Sequence, residues 1–171
     1  MYPDKQGAGI PRRKWLTAVG DGTGTFNLIG DYSAAPQDFY YLATTKFDIK
    51  SLLICISDNL QFNQVDYGAI PGGLTNGVGF FYKPFDGAEI RLINTVNIKQ
   101  NFEWQAIVEH VALTQYAGLP QTLQIDLDIL DEFGLPLNLR AADKLIVRLN
   151  DNFTGLVSHT FGIKGRDFLY V

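Results

Sequence analysis

The sequence predicts an all-β fold: an antiparallel β-sandwich, jelly-roll-like, with about eight to ten short strands and at most a short helix. Three observations predict it. Aromatic residues make up 13% of the 171 residues, with 12 Phe and 8 Tyr, and aromatic side chains fit pleated, half-buried surfaces. Several runs alternate apolar and polar residues, which places one face in a core and the other in water. Gly, Pro and Asx clusters punctuate these runs at short intervals, and no run sustains a helical stripe.

Residues 1 to 21 read as an N-terminal arm, followed by a single sandwich domain over residues 22 to 171. Pro3, Gly7, Gly9 and Pro11 interrupt regular structure there, and apolar residues are sparse. Arg12, Arg13 and Lys14 form a basic cluster before Trp15, and Trp beside Arg is a favoured interface pairing. These four are the candidate partner-binding residues. Residues 20 to 33 are rich in turn formers. Gly22 and Gly24 lack the Gly-Lys-Ser/Thr and the helix of a phosphate loop, so they are read as bends.

Residues 37 to 43 and 46 to 57 read as two strands. The second alternates at first and becomes continuously apolar from Leu52 to Ile56, the pattern of a strand entering the middle of a structure. Residues 58 to 73 form a long excursion loop, a length that often carries function. Residues 76 to 94 read as a hairpin around Asp86-Gly87, a strong turn pair. Residues 99 to 116 fit both periods and are assigned a helical turn near 101 to 106, then a strand. Residues 122 to 131 alternate cleanly, with Leu123, Ile125, Leu127 and Ile129 inward. A turn at 132 to 136 and a short extended stretch follow. Residues 143 to 164 read as two antiparallel strands joined by a polar turn at Asn150, Asp151 and Asn152, with Val157, His159, Phe161 and Ile163 on the buried row of the return strand. The tail from Arg166 adds an edge strand or enters a partner.

The composition limits function. A net charge of -4 opposes a general nucleic-acid role, which needs a basic field against phosphates. The single Cys55 allows no internal disulfide and sits in an apolar run as a small buried hydrophobe. No apolar leader precedes the domain and no run reaches membrane-spanning length, so a protein folded in a cytoplasm, without a membrane partner, is expected.

No residue set amounts to a catalytic, cofactor or metal signature. His110 and His159 lack a His or Cys partner at ligand spacing, and His159 reads as a satisfied core histidine. Asp126 and Asp128, with Asp131 and Glu132 behind them, read as a solvated strand face; they lack the Gly and bidentate Glu of a calcium loop. The serines have no nucleophile-elbow setting. Tyr40, Tyr41, Tyr67 and Tyr116 are read mainly as core, with sugar stacking or an interface as the alternative.

Two stretches carry a family likeness: Gly22-Thr23-Gly24-Thr25 with Gly30-Asp31-Tyr32-Ser33, and residues 149 to 157, LNDNFTGLV. With the β pattern over roughly residues 22 to 163, the chain resembles small virion structural proteins of tailed bacteriophages, in particular capsid decoration (cement) or head-fibre base proteins. The resemblance implies a non-enzymatic β-sandwich that assembles in the host bacterial cytoplasm. It would sit on the capsid surface as a homo-oligomer, a trimer, with the major capsid protein as partner. Residues 1 to 14 would then be a dispensable attachment arm. A carbohydrate-binding module or adhesin at a fibre tip, and a tail or neck adaptor, are the competing expectations.

Overall fold

A computed structural model describes residues 9–23, 27–58, 62–93, 97–107, 111–114, 121–129 and 137–168. The strands are β1 (Ile10–Trp15), β2 (Gln37–Leu42), β3 (Lys46–Asp58), β4 (Gly79–Lys83), β5 (Ile90–Arg91), β6 (Val111–Thr114), β7 (Gln121–Asp128), β8 (Leu137–Leu139), β9 (Lys144–Leu149) and β10 (Ser158–Phe168), with one helix, α1 (Asn101–Ile107), before β6. They form two antiparallel sheets. The larger runs β1-β10-β3-β7-β6, with β8 also on β3, and the smaller runs β2-β9-β4-β5.

The pairings are nested along the chain. β1 pairs with β10, β2 with β9, β3 with β7 and β4 with β5. The first four strands alternate between sheets, so each nested pair lies in the sheet opposite the pair that encloses it, and every second pair lies side by side in one sheet. One long antiparallel ribbon wrapped in this way is a jelly roll.

The wrapping explains the position of β3. It lies between β10 and β7 with its inner row, Phe47, Ile49, Leu52, Ile54 and Ile56, fully buried. Its outward neighbour Leu53 is also only 4% exposed, which accounts for the continuous apolar run. Leu123, Ile125 and Leu127 of β7 continue the inner row, and Ile129 just beyond it is buried too. The opposing sheet supplies Phe39, Tyr41, Phe80, Leu145, Val147 and Leu149. Each such side chain contributes about 1.5–3 kcal/mol of burial. Trp104 of α1 closes the core at one end, its ring 5.7 Å edge-on from Phe80. Glu103 accepts from the Gln100 backbone N–H at 3.1 Å and also from that of Lys99, which fixes the start of the helix.

Three readings of the sequence are corrected. Residues 143 to 164 are not a hairpin, because β9 lies in the smaller sheet and β10 in the larger. Residues 150 to 157 carry the chain across the sandwich, pinned by buried Phe153 and Leu156 and by an antiparallel bridge from Asn152 to Asp31. Val157 is exposed and precedes the strand. The arm does not extend to residue 21. Ile10–Trp15 is a strand of the larger sheet, and Leu16 beyond it is core. Residues 166 to 168 are the continuation of β10 between β1 and β3, not an edge strand. Residues 1 to 8 and 169 to 171 lie outside the described residues.

The 58 to 73 excursion, where described, is held by buried polar side chains. Asn101 accepts from the Gly68 N–H at 2.8 Å and donates to the carbonyls of Asn63 and Gly68. Farther on, the Asp151 carboxylate accepts from three successive backbone N–H groups, those of Thr75, Asn76 and Gly77, at 2.9, 2.9 and 2.7 Å. Gly77 has φ 82°, a left-handed conformation that lets the three donors converge.

Candidate interaction surface

β1 lies at the edge of the larger sheet, and its chemistry suits an edge. The Leu16 N–H donates to Phe161 on β10, whereas the Trp15 N–H donates away from β10, to Gly22. Alternation along the strand therefore points the backbone groups of Arg13 and Pro11 away from β10 as well. Proline is tolerated at residue 11 because its missing N–H falls on the side where no ladder partner is needed.

The four predicted partner-binding residues separate into two pairs. Arg12 and Arg13 are exposed. Lys14 turns toward the rim of the core, 3.4 Å from Asp167 and 5.9 Å above the Tyr41 ring. Trp15 packs against Gly162, where a Cβ would meet the indole at 2.9 Å, and the Arg13 guanidinium sits 5.7 Å from the ring centre. Lys14 and Trp15 thus fasten the edge strand, and Arg12 and Arg13 present it.

Sequence inspection missed the residues that join them. Beside β1 is an open depression of about 380 Å³, lined by Pro11, Arg12, Arg13, Lys50, Lys164, Gly165 and Arg166. Five of these seven side chains are cationic. They converge because Arg13 faces Lys164 and Pro11 faces Arg166 across the β1–β10 ladder. Lys50 joins through a bulge. Lys164 pairs with Ser51 and Gly165 with Ile49, so Lys50 has no opposite number and is pushed out of the ladder. Gly165 permits it, since a Cβ there would lie 2.2 Å from the Asp48 carbonyl oxygen and 2.7 Å from the Phe47 ring.

Among the described residues, Asp48, Asp126 and Asp128 are the carboxylates on the neighbouring strands at this face. Asp126 is ion-paired with Lys164. Asp48 is opposite Arg166 in register and lies 3.7 Å from Lys46. The expectation of a solvated strand face at Asp126 and Asp128 fits this pairing, and Asp131 and Glu132 lie outside the described residues. Among the described residues no group of three or more His, Cys, Asp or Glu is placed to hold a metal ion, and no helix is long and apolar enough to cross a membrane.

The other singled-out residues fall elsewhere. His159 is fully buried, its Nε2 2.9 Å from the Tyr67 hydroxyl, its ring stacked on Phe153 and edge-on to Phe161. Burial pushes its pKa down to about 3, so it is neutral across the physiological range. Tyr67 is equally buried and Tyr41 is 3% exposed, so neither stacks on a ligand. Burial, and then Asp167, push the Tyr41 phenol up to about 12. Tyr40 is half-buried under Lys144 at 4.7 Å. Tyr116 and His110 lie outside the described residues. Cys55 sits half-buried on the outward row of β3, and burial raises its thiol pKa, which disfavours the reactive thiolate.

The smaller sheet's outer face is closed by its own charges. Arg148 makes two hydrogen bonds to Asp38, at 2.7 and 2.8 Å, and two to Glu89, at 2.9 and 3.1 Å. Arg148 and Arg91 also cover the Phe81 ring at 4.7 and 4.8 Å. Arg12, Arg13, Lys50, Lys164 and Arg166 gather instead at the β1 edge of the other sheet.

The fold and this surface define a class: a jelly-roll sandwich with a cationic edge depression. No family model, curated protein or solved structure matches the chain.

Proposed function

We propose that this chain is a non-enzymatic structural protein of a bacteriophage particle. It would dock on the outer capsid lattice as a homo-oligomer, a trimer, and reinforce it by contacting neighbouring copies of the major capsid protein. The nested jelly-roll strand order carries this reading, because that architecture recurs in viral capsid domains. The likeness of the 22–33 and 149–157 stretches to decoration proteins supports the same role. Several weak contacts made at once would hold such an oligomer in place without any single tight site.

Lectin domains share the architecture. The competing glycan-binding reading loses its best platforms, since Tyr67 and Tyr41 are in the core. A tail or neck adaptor differs from a decoration protein in location.

Immunogold labelling with an antibody to the chain, on purified particles of the phage that encodes it, tests the proposal. Label over the head shell is expected. Label confined to the tail or neck, or absent from intact particles, overturns it. Light scattering tests the oligomer, with an expected mass three times 19.1 kDa. Deleting residues 1 to 14 is not a clean probe of attachment, because it removes nearly all of β1 and bares β10.

A further inference from the structure

We propose that the β1 edge depression is a receptor for clustered carboxylates: it takes an acidic, extended peptide segment of the protein on which this chain docks. The inference rests on the particle-docking reading and names the chemistry of its partner.

The sequence carries an excess of acid, yet five cationic side chains surround one depression, and among the described residues Asp48, Asp126 and Asp128 are the carboxylates on the neighbouring strands beside it. Collecting like charges is unfavourable unless something of opposite sign meets them. The site is also built. A bulge ejects Lys50 into it and Gly165 keeps the strands close enough for the bulge to form, and bulges of this kind re-aim side chains at functional edges.

Three features favour a peptide carboxylate. Arg12, Arg13 and Arg166 offer planar forks that match a carboxylate in bidentate fashion. The depression runs along an edge strand whose Arg13 backbone points away from β10, so an extended chain lies naturally beside it. The net charge of -4 repels a long polyanion beyond the patch, which disfavours nucleic acid.

The experiment is an NMR titration of the full-length, isotopically labelled protein with a capped hexaglutamate peptide at low salt. Parallel titrations use tripolyphosphate and a short DNA duplex. Saturable binding is expected, with shifts centred on residues 12–13, 50 and 164–166, and about tenfold weakening when salt is raised from 20 to 300 mM, because exposed charge pairs are screened. The double substitution Arg13→Gln with Arg166→Gln should weaken binding about fivefold to tenfold. Lys50→Gln should weaken it by a smaller factor, and Lys144→Gln, on the other sheet, should not. Both arginines are solvent-exposed, and Lys50→Gln serves as the second probe if the double variant is poorly folded.

No saturable binding, shifts away from the depression, or binding untouched by these substitutions overturns the proposal. Tighter binding of tripolyphosphate or DNA than of hexaglutamate also overturns it and assigns the site to phosphate. The two proposals fail separately. Hexaglutamate binding without head labelling removes the particle role and leaves the site; head labelling without hexaglutamate binding does the reverse.

Discussion

The buried His159 makes the fold acid-sensitive in a way that one substitution can isolate. In the native chain, burial holds its pKa at about 3, against 6.5 for the ordinary side chain. The native state therefore excludes a proton that the unfolded chain accepts. The stability contributed by keeping His159 neutral is full above pH 6.5 and is lost as the pH falls from there toward 3. For these two values the loss between pH 8 and pH 4.5 is about 2.7 kcal/mol, since each pH unit below the unfolded pKa removes about 1.4 kcal/mol. Among the described residues, the rings of Tyr67, Phe153 and Phe161 pack against the imidazole. The comparison is between the native chain and His159→Phe by urea denaturation at pH 8, 6.5, 5.5 and 4.5. The variant should be less stable at pH 8 by about 1–3 kcal/mol, because the Tyr67 hydroxyl loses its partner in the core. The gap should close by about 2.7 kcal/mol by pH 4.5. Other carboxylates titrate in both proteins and cancel in the difference. A constant gap across the series would show that His159 is protonated in the native state or that burial does not govern it, and the reasoning would fail.

Three further substitutions test how the loops and the bulge are held. Asp151→Ala strands the N–H groups of Thr75, Asn76 and Gly77 and should lower unfolding stability by about 3 kcal/mol, with faster amide exchange at those three positions. Gly165→Ala drives a Cβ onto the Asp48 carbonyl oxygen and should reduce stability by about 3 kcal/mol, with NMR shifts concentrated at residues 47–50; a neutral result would mean that the bulge is looser than its geometry. Ala142 has φ 72°, a conformation that disfavours a Cβ by about 1–2 kcal/mol. Ala142→Gly should therefore raise the denaturation midpoint by a net stabilisation of about 0.5 kcal/mol after glycine's greater unfolded-state freedom is subtracted, and a lowered midpoint would contradict the assignment of strain.

Much of the fold was legible where local pattern and burial coincide. The period-two run expected over 122 to 131 forms β7 as far as Asp128, with Leu123, Ile125 and Leu127 inward as expected and Ile129 buried just beyond the strand; residues 130 and 131 lie outside the described residues. The Asp86-Gly87 turn joined β4 and β5, and the ambiguous 99 to 116 segment resolved into α1 and β6. What failed was pairing. Residues 143 to 164 contain two good strands with turn residues between them, and the nearest partner in sequence is the natural assignment. Phe153 and Leu156 decide otherwise: both are buried within the connection, so it crosses the core and cannot turn back on itself. A turn with two buried apolar residues in it is the signal that could have distinguished a crossover from a hairpin.

The same physics hid most of the candidate surface. A run such as Arg12-Arg13-Lys14 is visible in any sequence, but strand alternation sends Lys14 to Asp167 while Arg13 meets Lys164 on the opposite face. Lys50 and Arg166 carry no local mark at all. They reach the depression only because β1, β3 and β10 are neighbours in the sheet, which is a consequence of the first and last strands closing the wrap. A cationic site assembled from the two ends and the middle of a chain can exist only after the outermost pair has formed. Perturbing that pair, by loosening Trp15 from Gly162 or Lys14 from Asp167, should therefore degrade anion binding together with β1 order, whereas neutralising Arg13 and Arg166 should degrade binding alone. Amide exchange on β1 separates the two cases: protection unchanged in Arg13→Gln with Arg166→Gln but reduced in Trp15→Ala is the expected pattern. Equal loss in both would mean that the arginines hold the edge in place and do not serve as its receptor.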